Sequence, residues 1–200
     1  MQILPWPPNA LLFPLKFGFA CTLIYLIAES LFTLARLSQS KGVIHDRGSF
    51  WLLLLFFYGA VLFSLLDVFI LQWSLFSPRF TPFQFVGIPF VMLGLSARLV
   101  ARLTLRNAFS QRVQTSGAHR LVKQGVYKVI RHPAYLGLLL LMLGLPLCLG
   151  SLVGVSIAVF SGVSSLVYRI YIEEMALHTW FGDEYREYAQ KTHRLIPFLW

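Results

Sequence analysis

Residues 119–137 read His-Arg-Leu-Val-Lys-Gln-Gly-Val-Tyr-Lys-Val-Ile-Arg-His-Pro-Ala-Tyr-Leu-Gly. The stretch ends in Arg131-His132-Pro133-Ala134-Tyr135-Leu136-Gly137 and runs straight into an apolar block. His119, His132, Tyr127, Tyr135 and the intervening cations can hold a charged ligand by ion pairs, hydrogen bonds and ring packing. Core packing does not explain such a density of polar groups at the mouth of an apolar segment. It points to a polar-ligand site built at a membrane surface. A second set follows in residues 169–188, where Arg169 and Glu173 stand four apart and so share one helical face. Phe181-Gly182-Asp183 reads as a helix break, with Asp183 capping a new helix.

The elements that must position these groups are membrane spans. Hydrophobic residues make up 57% of the 200-residue chain and charged residues only 12%, whereas a soluble domain carries about a quarter charged residues. The apolar residues fall in long blocks, so an all-α integral membrane bundle is expected. Residues 10–35 form a first span, interrupted by Pro14, Lys16 and Glu29. Residues 50–76 form the clearest span, with Asp67 as its only charge. A third begins near Phe83 and ends in Arg98, Arg102 and Arg106, and residues 107–132 form a polar loop.

Residues 133–168 carry no charged side chain. As one helix this run would be about 54 Å long, against a hydrocarbon core of about 30 Å. Two spans joined by a very short turn fit, with Gly144-Leu145-Pro146 or Gly150-Ser151 supplying the turn. The expected fold is therefore about five transmembrane helices, the last two a tight hairpin. The polar loop and a C-terminal helical tail would meet on one face. One domain is expected over 1–200, with three spans in 1–106 and the site-bearing half in 107–200.

The formal net charge is +9, but the cations cluster between spans, which reads as topology and lipid contact rather than nucleic-acid binding. Segment 98–131 holds eight Lys or Arg and no acid. By the positive-inside rule this segment, loop 36–49 and the tail face the cytosol, with the N-terminus outside. Arg98, Arg102 and Arg106 read as a snorkelling, lipid-phosphate stripe. Asp67 marks either a functional intramembrane charge or the outer interface. Cys21 and Cys148 lie in apolar blocks and suggest neither a disulfide nor a metal site. The N-terminus lacks a basic stretch and a convincing cleavage site, so a removable signal peptide is not expected.

His119-Arg120-Leu121-Val122, Gly125-Val126-Tyr127, Arg131 to Tyr135 with Gly137, Glu173-Glu174, Phe181 to Tyr185 and Ile196-Pro197 occur in one order. That series resembles the isoprenylcysteine carboxyl methyltransferases, within a wider group that includes phospholipid methyltransferases. The resemblance implies a membrane-embedded, cytosol-facing pocket for S-adenosyl-L-methionine. It assigns cofactor contacts to Gln114, His119, Arg120, Leu121, Val122, Tyr127, His132, Pro133, Ala134, Tyr135 and Glu173, and the methyl acceptor to Arg169. Arg169 and Glu173 are then the expected catalytic pair.

The residues suit this chemistry. A carboxylate such as Glu173 can offset a sulfonium or ammonium charge, and Tyr127 and Tyr135 can pack against adenine. Methyl transfer is an in-line displacement, so positioning supplies most of the catalysis. A carboxylate acceptor is already nucleophilic and needs only an orienting cation, the part Arg169 fits. An amine acceptor would want a base, such as Glu174 or a histidine. The expected acceptor is a lipid or lipidated molecule carrying a carboxyl group. A phospholipid amine acceptor, an NADPH-dependent sterol-reductase-like enzyme, and a non-catalytic membrane protein stand as alternatives. Plainer readings also fit the same residues. His132 before Pro133 is a natural helix start, Glu174 suits a structural part, and Arg169 with Glu173 could be a surface pair contributing a few tenths of a kcal/mol.

Overall fold

The computed structural model describes residues 13–37, 43–44, 48–71, 73, 82–105, 114–115 and 121–197. Helix α1 spans Phe13–Leu37, α2 Ser49–Leu66, α3 Pro82–Leu105, α4 Pro133–Leu149, α5 Leu152–Ile157 and α6 Val163–Gln190. A π-turn at Asp67–Leu71 extends α2, and another at Ala158–Gly162 joins α5 to α6. Among the described residues these make five rods, as the apolar blocks predict. Ser49–Leu71, Gln84–Leu105 and Leu152–Gln190 are each long and apolar enough to cross a membrane, and Pro133–Leu149 is a shorter apolar helix. Large apolar side chains such as Ile24, Leu55, Leu93 and Phe160 face outward, as expected where lipid replaces water. The chain is a multi-pass membrane protein.

The hairpin turn falls at Gly150-Ser151, while Pro146 stays inside α4. Gly150 adopts φ 77°, a left-handed conformation that stops a helix, and its N–H and that of Ser151 return to the carbonyls of Leu147 and Pro146. Ser151 then starts α5 by accepting from the Gly154 N–H. Asp67 seals this end: its carboxylate accepts from the Ser151 hydroxyl at 2.7 Å and from the Trp73 N–H at 2.9 Å. Asp67 is thus buried at the end of the bundle opposite His132.

Packing of α4 against α3 is close because glycines recur every seven residues on both helices, at Gly87 and Gly94 and at Gly137 and Gly144. A Cβ on Gly94 would come within 2.8 Å of the Gly137 carbonyl oxygen, and one on Gly137 within 2.6 Å of the Gly94 oxygen. A Cβ on Gly144 would meet Phe90 and Val91 at 2.8 and 2.9 Å. Without a hydrophobic force between helices in lipid, such backbone approach is what holds them.

Arg98 and Arg102 do not form the expected lipid-facing stripe. Arg98 Nη2 donates to Glu29 Oε1 at 2.7 Å, and Arg102 Nη2 donates to Glu29 Oε2. Both arginines turn inward because α1 presents a carboxylate at the same depth, and a paired charge costs less there than one facing lipid. Arg106 lies outside the described residues.

The loops meet at this end. Strand β1, Val43–Ile44, pairs antiparallel with β2, Gln114–Thr115. Backbone bonds also run from the Arg131 N–H to the His193 carbonyl at 2.8 Å and from the His132 N–H to the Arg194 carbonyl at 3.1 Å. Glu174 locks the tail in place. It accepts from Arg131 Nε at 3.0 Å and from Arg194 Nε at 2.9 Å, one on each oxygen. Arg131 further donates to the Ala189 carbonyl at 2.7 Å and to Thr192. Gly182, at φ 50°, breaks α6 as the sequence predicts.

Because Glu174 pairs with both Arg131 and Arg194, Glu174→Gln should lower the thermal midpoint at pH 7. The same thermal scan tests the helix contact: Gly94→Val should destabilise by about 1–3 kcal/mol, whereas Ala on the lipid-facing Leu93 should change little.

Candidate active site

The 119–137 segment reaches the bundle through a short frame. Gly125–Lys128 forms a 3₁₀ turn that opens on Gly125 at φ 59°. The turn buries Tyr127, whose carbonyl accepts from the Tyr188 hydroxyl at 2.7 Å. After Ile130 bridges to His193, His132 precedes α4 and Pro133 takes its first position. Proline suits that place because its missing N–H would have had no partner there.

Across from this frame runs α6. Arg169 is almost completely buried, at 1% exposure. Its Nε donates to the Tyr135 hydroxyl oxygen at 2.9 Å, and its Nη1 donates to Ser49 Oγ at 2.8 Å. The Tyr135 hydroxyl in turn donates to Glu173 Oε2 at 2.5 Å. Arg169, Tyr135 and Glu173 thus form one hydrogen-bonded relay between α4 and α6. The His132 ring stacks beside Tyr135, with ring centres 5.6 Å apart. His132 Nδ1 lies 3.9 Å from Glu173 Oε1, while its Nε2 lies 3.4 Å from Glu174 Oε1 without making an aligned hydrogen bond.

The two adjacent glutamates differ sharply. Glu174 spends both oxygens on arginines. Glu173 keeps its side chain 30% exposed with Oε1 only loosely approached by His132. A half-open carboxylate next to two stacked rings can receive a cation. A buried guanidinium on the far side of the same tyrosine can orient an anion. The arrangement therefore separates a place for positive charge from a place for negative charge by one phenol.

Of the predicted site residues, Tyr127, His132, Pro133, Ala134, Tyr135, Arg169 and Glu173 come together at the meeting of α4, α6 and the preceding turn. Leu121 and Val122 are half-buried just before that turn. Gln114 is placed through its backbone alone, opposite Ile44 in the β1–β2 pairing. His119 and Arg120 lie outside the described residues. Sequence reading missed Ser49, which sits 120 positions from Arg169. Its one signal, a serine after Gly48 at a helix start, speaks of capping and not of a partner across the bundle.

Residues 86–179 match the isoprenylcysteine carboxyl methyltransferase (ICMT) family. A probable protein-S-isoprenylcysteine O-methyltransferase of Oryza sativa subsp. indica is 35% identical over 121 residues, covering 58% of this chain and 62% of the relative. The protein-S-isoprenylcysteine O-methyltransferase of Saccharomyces cerevisiae is 37% identical over 116 residues, covering 57% and 48%. Among solved structures, the eukaryotic intramembrane Ras methyltransferase ICMT superposes with a TM-score of 0.61 at 31% identity, over 71% of this chain and 52% of the other. The chain thus spans less than two thirds of the length of these relatives. The matched stretch runs from α3 through the relay on α6, and over it the chain is similar to the isoprenylcysteine carboxyl methyltransferases.

Proposed function

We propose that the chain is an integral membrane S-adenosyl-L-methionine-dependent methyltransferase acting on a carboxyl group of a lipidated or hydrophobic acceptor. The observation that carries this reading is the Arg169–Tyr135–Glu173 relay, set inside the stretch that matches the family.

The residues fit the cofactor's charges. Glu173, half-open beside the His132 and Tyr135 rings, would face the donor's cationic side, and Tyr127, Leu121 and Val122 would line the rest. His119, Arg120 and Gln114 belong to this proposal by resemblance. When bound, S-adenosyl-L-methionine supplies an electrophilic methyl group. The chain's own work is to orient and to exclude water. Arg169 would hold the acceptor carboxylate as a charge-assisted partner, and Tyr135 would fix the guanidinium and the glutamate in one geometry. Because a carboxylate needs no deprotonation at neutral pH, no general base is required. A buried arginine on the acceptor side favours an anionic acceptor over a phospholipid amine. The apolar helix walls suit an acceptor whose chain stays in the bilayer and whose carboxylate reaches the relay.

The division into three N-terminal spans in 1–106 and a cofactor-binding half in 107–200 is part of this proposal. So is the orientation, with the N-terminus outside and the site facing the cytosol, supported by the basic segment 98–131.

Titration of the purified full chain with S-adenosyl-L-methionine and with NADPH tests the class; binding of NADPH alone would overturn it. Glu173→Gln should weaken S-adenosyl-L-methionine binding about tenfold, the worth of one lost charge contact. Arg169→Ala should leave that binding near parental and lower methyl transfer to a prenylated cysteine carboxylate about a hundredfold or more. If both variants bind donor and transfer methyl like the parent, the site lies elsewhere.

A further inference from the structure

Glu29, Arg98, Arg102 and Tyr25 form a polar cluster between α1 and α3 that the proposed chemistry leaves unused. Glu29 is 7% exposed and Arg98 8%. The Arg98 guanidinium carbon also lies 5.7 Å from the centre of the Tyr25 ring. Buried ion pairs are costly in an apolar bundle and are weak evidence of stabilisation by themselves. Ionisable groups kept at such a place are a reason to look for function.

The contact that decides the matter is the third one Arg98 makes. Its Nη1 donates to the Ala134 carbonyl oxygen at 3.2 Å, crossing from α3 to α4. Its stem fills the space that Gly137 leaves open: a Cβ there would come within 2.7 Å of Arg98 Cγ. One end of the planar guanidinium is fixed by Glu29 and the other by Ala134, so Glu29 sets the angle at which Arg98 grips α4. Ala134 lies between His132 and Tyr135, the two rings set against Glu173.

We propose that Arg98, held by Glu29, is a positioning residue for the methyl-donor side of the site. It clamps the first turn of α4 and so fixes the His132 and Tyr135 rings against Glu173. The proposal rests on the function argued above. It also brings α1, which lies outside the family-matched stretch, into the construction of the site.

The test uses the full chain in lipid nanodiscs with two variants. Arg98→Lys retains a cation for Glu29 but, as a single ammonium on a flexible stem, cannot span both partners. Glu29→Gln with Arg98→Met removes both charges together and so leaves no unpaired member of that pair. Amide hydrogen exchange across residues 134–138 is read without ligand, and S-adenosyl-L-methionine affinity and acceptor KM are read alongside. Both variants should exchange faster in that turn and bind donor about tenfold more weakly, and acceptor KM should rise as well because Tyr135 also holds Arg169. A purely structural pair would lower the thermal midpoint and leave exchange in that turn and donor affinity of the folded protein at parental values. That result in Arg98→Lys, which keeps the ion pair, overturns the proposal even if the double variant fails to fold. Failure of the parent to bind S-adenosyl-L-methionine would instead overturn the proposed function, and the exchange measurement would still decide whether Arg98 clamps α4.

Discussion

The backbone contact between α3 and α4 is the constraint from which the charged end of the molecule is built. Gly94 and Gly137 bring two helices so close that neither position has room for a methyl group. This approach places Arg98 within reach of Ala134 and sets the start of α4 at a fixed height beside α6. In lipid, where apolar side chains gain nothing by leaving their solvent, small residues and inward polar contacts must hold the bundle together. The chain uses both on the same pair of helices, with glycines along the middle and an arginine at the end.

Neighbouring residues on one helix then take different work. Glu173 and Glu174 are adjacent, so on a helix they point about 100° apart. Glu174 turns toward Arg131 and Arg194 and ties the tail to the loop. Glu173 turns toward Tyr135 and remains partly open. The tail is thus a strut for the site, since without it the segment before α4 would lose its backbone partners at His193 and Arg194.

Much of this was legible in the chain because lipid imposes coarse rules. The length of the charge-free run alone requires two rods, and Gly150 could be named as one of two places for the turn. Pro146 misled as a turn candidate because proline within a helix is tolerated where the bundle re-satisfies the backbone. The Arg169 and Glu173 spacing was readable because it is local. What escaped was the set of contacts between residues far apart in the chain. Arg98 and Arg102 read as lipid-facing because their partner, Glu29, lies 69 and 73 positions away. Ser49 gave no sign of Arg169 for the same reason. Charge counting orients loops, but it does not say which buried cation meets which buried anion.

The π-turn at Ala158–Gly162 bears on all of this from a distance. Such a turn accommodates one residue more than an α-helix does, and each residue advances a helix by about 100°. Everything after it on α6 is therefore re-phased relative to α5. The face that carries Arg169 and Glu173 looks at α4 only with that extra residue counted in. Upstream, the anchor at Asp67 and Ser151 fixes where the count begins. The aim of the reactive face is consequently stored as a residue number in the apolar span. A single insertion or deletion there would turn the site toward lipid while leaving every one of its side chains intact.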